Sequence, residues 1–492
     1  DLKLIIAECI FLKGELKEAA EIFSKLEKIR VLNTKKASLY IVYMDLLHTT
    51  SDFRSVLIFG RKALALFGIQ LPHKIKKIRI IWNILLTQIK LKKIGIDNVA
   101  KIKRVEDQKV ALIQEIYARI GSAGYFFDKP FYAYSVIKIM RFMLIYGANP
   151  SAASTAIFYS VFIAHKFNKY EENFRLALKC QELYERLDGI PNSGRGIFGL
   201  GGFMLPWVRP LSEAIETLDR VFVQLKRLGD PVISNFVSLY ISTLRFQSGE
   251  PLIAVQEETK RMLKEVAKSG DSTIVDCLVP TMISCSRLLG ENIEEYFSKS
   301  ADGSSSAFIV RVLGSNVENI KAWYGTQTLM VDTILQDREG IARSLKLAEI
   351  SVDATPFSFT ISNYYLFSSL YYFDEITQGR ITKKSIQNKL KVSRNKLKKW
   401  AEVNPLTFEP FWTMFQAESY IAEGDFSKAS AFYIECIESA MRSGNLLFQA
   451  FANERFGRYC LSEKKMSLGY SCLTSSLHSY NDWQAKVKVE QM

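Results

Sequence analysis

Apolar residues recur three and four positions apart along almost the whole chain, and strict apolar–polar alternation is nearly missing. The first spacing lines one face of a helix, whereas the second would mark strands. "PLSEAIETLDRVFVQL", residues 210–225, shows the helical pattern clearly. Clusters of glycine, proline, asparagine and serine at Gly68–Pro72, Gly189–Asn192, Gly229–Pro231, Gly249–Pro251, Ser298–Ser306 and Asn404–Pro410 predict turns between helices. "SKSADGSSSA", residues 298–307, is the most linker-like of these and predicts a mobile loop. Length alone would suggest about three domains. No sharp boundary is visible, so residues 1–492 read as one continuous helical array.

Four segments share a finer pattern: "GELKEAAEIFSKLE" from Gly14, "SDFRSVLIFGRKAL" from Ser51, "NKYEENFRLALKCQ" from Asn168 and "GDFSKASAFYIECI" from Gly424. Each opens with a small or turn-forming residue. Two places later stands Leu16, Phe53, Tyr170 or Phe426, and five places on Ala19, Val56, Asn173 or Ala429. Phe23 and Leu26, Gly60 and Ala63, Ala177 and Cys180, and Tyr433 and Cys436 follow. This resembles the second half of the tetratricopeptide repeat, in which a turn residue ends one helix and small residues let its pair approach. The first two copies start 37 residues apart, near the usual period of about 34. "GEPLIAVQEETKRM", from Gly249, is a poorer copy. With helical periodicity throughout, the pattern predicts an all-α fold, an α-solenoid of stacked antiparallel helix pairs.

Composition sharpens this picture only in part. Of 492 residues 48% are apolar and 24% charged, ample for a buried core. The chain starts at Asp1 without methionine and ends on "WQAKVKVEQM", so it is expected to be a segment of a longer protein. Its formal charge of +14 favours acidic partners such as nucleic acid, anionic lipid or acidic protein. The lysines concentrate in Lys74–Arg104 and Arg380–Trp400, with bulky apolar residues between them at helical spacing. The plainer reading of both runs is a solvated helix face, because no aromatic stacking platform or known nucleic-acid module accompanies them. The seven cysteines (Cys9, Cys180, Cys277, Cys285, Cys436, Cys460, Cys472) are scattered and never form C-x-x-C, which fits buried thiols in a reducing, cytoplasmic setting. Four dispersed histidines argue against a zinc site. Phe142–Ala164 carries no charge, but Gly147, Asn149 and Pro150 interrupt it; two buried helices and a turn are expected there, with no membrane span.

One stretch tempts a catalytic reading. In "SGRGIFGLGGFMLP" Gly194, Gly196 and Gly199 have the G-x-G-x-x-G spacing of a dinucleotide loop. That loop needs a strand before it, yet "LKCQELYERLDGIPN" reads as helix and turn, and Asp219, at the distance expected of a ribose ligand, falls inside a helix. A short helix over Arg195–Trp207, packed through its small face, is the better expectation. The carboxylate pairs Glu171–Glu172 and Glu257–Glu258 sit on lysine- and arginine-rich helices and read as solvated faces. The tryptophans (Trp82, Trp207, Trp323, Trp400, Trp412, Trp483) all read as core. No residue group has the spacing of a catalytic, metal or cofactor site, so no site residue is assigned and no cofactor is expected.

Longer stretches resemble a helical region of multidomain signalling proteins: "SVLIFGRKALALFGIQLP" (55–72), "PWVRPLSEAIETLDRVFVQLKRLGD" (206–230), "QSGEPLIAVQEE" (247–258), "LKKWAEVNPLTFEPFWTMFQAESYIAEGDFSKASAFYIECIESAMRSG" (397–444) and "HSYNDWQAKVKVEQM" (478–492). In that family the region lies between an AAA-type ATPase, itself preceded by a protein-kinase-like domain, and a GAF domain with a histidine kinase. Bacteria have such proteins and fungi have hybrid versions; the Lys- and Ser-rich composition inclines to the fungal kind. In the closing block Trp483 is followed by Gln484 and then Ala485-Lys486-Val487, one residue short of the family pattern. The resemblance implies a non-catalytic scaffold in phosphorelay signal transduction, with the neighbouring ATPase, GAF and kinase domains and other proteins as partners. None of His48, His73, His165 or His478 lies in a phosphoacceptor motif. Two other classes stay open: an arm that senses a small effector for a signal-transducing ATPase regulating transcription, and a basic helical-repeat nucleic-acid binder.

Overall fold

A computed structural model describes residues 5–7, 9–10, 15–29, 31–188, 194–298, 300 and 302–492. Among these residues there are 26 α-helices and one 3-10 helix, Ile96–Lys101, with no strand. The fold is an all-α solenoid of antiparallel helix pairs, as the periodicity predicts. The chain divides into two compact units, Asp1–Met204 with Glu216–Ser238 and Lys264–Val275, and Leu205–Ile215 with Leu239–Leu263 and Asp276–Met492.

In the first unit Asn33–Thr49 pairs with Phe53–Ala65, Gln108–Phe127 with Lys129–Tyr146, and Pro150–Phe167 with Tyr170–Asp188. Ala7, Ala19, Phe23, Leu39 and Leu46 form one of its apolar clusters. In the second unit Glu318–Ile334 pairs with Arg338–Glu349, Pro405–Ile421 with Phe426–Ser443, and Leu446–Ser462 with Met466–Trp483. Its core includes Trp207, whose ring lies 4.8 Å from Trp400 and 5.5 Å from Phe408. Aromatic side chains of this size supply much of the burial that offsets chain entropy.

Five helix reversals share one chemical device. Ser51, Gly229, Gln336, Gly424 and Gly444 all have positive φ, the left-handed turn that stops a helix. The next residue is Asp52, Asp230, Asp337, Asp425 or Asn445. Its backbone N–H bonds the carbonyl five residues back, for instance Asp52 to Leu47 at 2.9 Å and Asp425 to Tyr420 at 3.0 Å. Its side chain then accepts the N–H three residues on, as from Ser55, Ile233, Gly340, Lys428 and Phe448. A single residue therefore closes one helix with its backbone and caps the next with its side chain.

The repeat positions read from sequence are core positions. Ala19, Val56, Asn173 and Ala429 are buried, as are Phe23, Gly60, Ala177, Tyr433, Ala63, Cys180 and Cys436. Leu26 is only half-buried. Gly14 and the side chain of Leu16 lie outside the described residues. In the poorer copy the helix starts one residue late, at Leu252, so Val255 is buried where Ala254 would be expected. Proline at 251 is accommodated just ahead of the helix rather than in its paired face.

Gly189–Asn192 lies outside the described residues, and two other turns differ from expectation. The linker over 298–307 is shorter, because Ser304 accepts the Ala307 N–H at 3.2 Å and starts the helix Ser305–Gly314. The break at Asn404–Pro410 shrinks to Asn404, which caps Pro405–Ile421 by accepting from Thr407. Pro410 sits inside that helix.

Candidate functional site

The glycine motif is a packing surface. Gly194–Phe203 is a helix, and the described residues before it are the helix Tyr170–Asp188. A Cβ on Gly196 would stand 2.3 Å from Gln181 Oε1, and one on Gly199 would stand 3.1 Å from Ile157 Cγ2. Each glycine costs the helix up to about 1 kcal/mol relative to alanine, which the close approach offsets.

That approach helps to frame a cavity of about 90 Å³ within the first unit. Phe126, Phe158, Phe198, Phe203 and Phe236 form its aromatic wall. The rings touch in sequence, with Phe126 to Phe236 at 5.4 Å, Phe236 to Phe198 at 5.8 Å, Phe198 to Phe203 at 5.5 Å and Phe203 to Phe158 at 5.3 Å. Small residues make the space: Ala118, Gly121 and Ser122 on one helix, Ser151, Ser154 and Thr155 on another. Arg195 adds the one guanidinium to the lining. Apolar walls with a few placed polar groups are the usual form of a small-molecule site.

Behind the lining lies a charged cluster. Arg119 grips Asp45 with Nε at 3.2 Å and Nη2 at 3.0 Å, and also pairs with Glu115. Arg195 Nε donates to Asp230 Oδ2 at 3.0 Å, so a residue that caps a helix also fixes the cavity's guanidinium. Burial pushes the Asp45 carboxyl up, but Arg119 and Arg195 outweigh it and hold Asp45 below its ordinary value. Asp230 raises the pKa of Arg195.

Ser122 Oγ and His48 Nε2 share a hydrogen bond of 2.8 Å. Phe53, Phe126 and Phe236 meet the imidazole edge-on at 5.2–6.0 Å. Burial pushes the His48 pKa down to about 4, so the ring is neutral near pH 7. A proton acceptor this weak is poorly matched to general-base work at neutrality. It has a consequence for stability. Unfolded His48 gains its proton near pH 6.5 and the folded ring only near 4, so stability present above pH 6.5 is lost as pH falls toward 4. The loss attributable to this one group between pH 8 and pH 5 is expected to be about 2 kcal/mol. Comparing urea midpoints of the native chain and His48→Leu at both pH values measures it: the variant should lack this part of the acid loss.

The other singled-out residues do not converge on this cavity. Glu171 and Glu172 are exposed, and Glu172 pairs with Lys169. Glu258 pairs with Arg261. Cys9 is exposed and the other six cysteines are buried and unbridged; burial pushes the Cys436 thiol up to about 12 and Cys460 to about 11. Among the described residues no three His, Cys, Asp or Glu side chains gather where they could hold a metal ion. Trp207, Trp323, Trp400 and Trp483 are core, and Trp412 is half-buried against Phe415. Trp82 corrects the sequence reading, being 58% exposed.

The two lysine runs, alike in sequence, part in structure. Lys383–Val403 buries Leu390, Leu397 and Trp400, and its Lys383 and Lys389 pair with Glu423 and Glu349 at 2.7 Å. It is a solvated, partnered face. Lys77–Ile94 instead turns a row of apolar side chains outward. Among the described residues one helix, Ser272–Leu289, is long and apolar enough to cross a membrane; most of it is buried within the protein and Pro280 lies inside it.

No family model matches the chain, and no curated protein matches it in sequence.

Proposed function

We propose that this chain is a non-catalytic regulatory scaffold in a multidomain sensor histidine kinase, joining an upstream ATPase to a downstream phosphorelay kinase. The observation that supports this reading is the succession of helix pairs, several of them joined by capped reversals, with blocks resembling that family distributed along it. Stacked pairs offer long faces to partners and neighbouring domains. The test is phosphotransfer by the parent protein with and without this segment. Output that loses its dependence on the ATPase, while the kinase still autophosphorylates, supports the scaffold; unchanged output overturns it.

The aromatic cavity favours a second reading, an arm that senses a small effector. Its size and walls suit a flat, largely apolar molecule whose one acceptor meets Arg195. A ligand held only by the folded form raises stability by about 2.7 kcal/mol at a hundred times its Kd. A thermal-shift screen against small metabolites, repeated on Ser154→Phe to fill the space, checks it. A shift that the filled variant loses supports sensing, and a shift it keeps places the ligand elsewhere.

A further inference from the structure

The Lys77–Ile94 helix has two apolar faces. The inner one carries Ile84 and Leu91 with Asn83 and Thr87, all buried. Gln88 ties this side down by donating to the Tyr159 hydroxyl at 2.7 Å. On the opposite side Ile78, Trp82, Leu85 and Ile89 follow one another at helical spacing, with Ile81 beside them, and all five are between 49% and 69% exposed. The row runs about 17 Å along the helix. Side chains that exposed stand out as a ridge; they do not sit in a groove shaped for a partner helix.

Cations bracket the ridge. Lys74, Lys76 and Lys77 precede it and Lys90, Lys92 and Lys93 follow, and no Asp or Glu occurs from His73 to Ile96. Among the described residues none of these six lysines is in an ion pair, in contrast to Lys383 and Lys389. Three of them gather at the helix N-terminus, where the backbone dipole disfavours positive charge. The core gains nothing from these lysines, and the helix gains only from those in its last turn, Lys92 and Lys93. A soft apolar medium beneath a layer of anions fits this arrangement: the ridge needs no matching groove, tryptophan favours the boundary between headgroups and chains, and flexible lysines reach outward to phosphates.

We propose that this helix docks on an anionic membrane surface, lying in its plane with Ile78, Ile81, Trp82, Leu85 and Ile89 in the acyl boundary and the bracketing lysines on lipid headgroups. Docking of this kind is peripheral and is independent of the scaffold reading above.

The test is co-sedimentation of the full chain with vesicles of phosphatidylcholine alone and with about 30% phosphatidylserine. Binding to the serine-containing vesicles should be at least about tenfold tighter and should weaken with added salt. Brominated lipid should quench the Trp82 emission, measured as the difference between the native chain and Trp82→Phe. The double variant Ile81→Glu with Trp82→Glu should abolish binding with circular dichroism and melting unchanged, because both positions are exposed. Lys90→Glu, Lys92→Glu and Lys93→Glu together should remove the preference for anionic lipid. Failure to bind either vesicle, undiminished binding by the double variant, or a dimer that the double variant dissolves while vesicles stay unbound would each overturn the proposal.

Discussion

Replacing Glu454 with leucine is expected to cost the second unit about 3–5 kcal/mol, the usual result of leaving a buried charge without its partner. Glu454 is 1% exposed, and Lys488, whose Nζ lies 2.8 Å from Oε1, is 0% exposed. The carboxylate also accepts from the Tyr480 hydroxyl at 2.7 Å, Gln336 Nε2 at 3.0 Å and Arg458 Nε at 3.0 Å. Burial lowers the Lys488 pKa and Glu454 opposes that fall. Without the carboxylate the lysine must stay charged in an apolar setting or give up its proton. Glu454→Leu with Lys488→Met should recover much of the loss, since a pair replaced by apolar groups of similar volume is often neutral. Urea denaturation of the native chain, both single variants and the double variant measures the coupling. The pH dependence is diagnostic. In Glu454→Leu the unfolded lysine binds its proton more tightly than the folded one, so stability should rise as pH increases from about 8 toward 10.4. A double variant no more stable than Glu454→Leu would show that the cost lies in Tyr480 and Gln336 instead.

Gly325→Ala should destabilise by about 3 kcal/mol, the upper end for overpacking. The new Cβ would stand 2.4 Å from Ala348 N and 2.5 Å from Leu347 C. Both atoms are backbone, so no rotamer change relieves the clash, and Glu318–Ile334 must move away from Arg338–Glu349. Gly314→Ala is the control of opposite sign. Gly314 ends a helix with nothing within 4 Å of its Cβ position, so alanine there should be neutral or stabilising by up to about 1 kcal/mol. Equal melting shifts for the two variants would refute the close-approach account.

The helices and their paired faces are legible in the sequence because one apolar stripe at period 3.6 determines which side turns inward. Ala19, Ala177 and Ala429 are found in this way. Lys77–Ile94 misleads because it has apolar residues all round, so periodicity cannot say which side is buried; Trp82 reads as core for that reason. The cavity leaves no local trace. His48 and Ser122 are 74 residues apart and Arg195 and Asp230 are 35 apart, and Ser151, Ser154 and Thr155 resemble ordinary polar helix positions. The buried Glu454–Lys488 pair is hidden likewise, since its members stand 34 residues apart in sequence.

Since Asp52, Asp230, Asp337, Asp425 and Asn445 each join a helix end to the next beginning through hydrogen bonds spanning nine residues, the instruction to reverse direction is written locally at every such corner. A hairpin of about 35 residues can therefore close during synthesis as soon as it has emerged, without waiting for distant sequence.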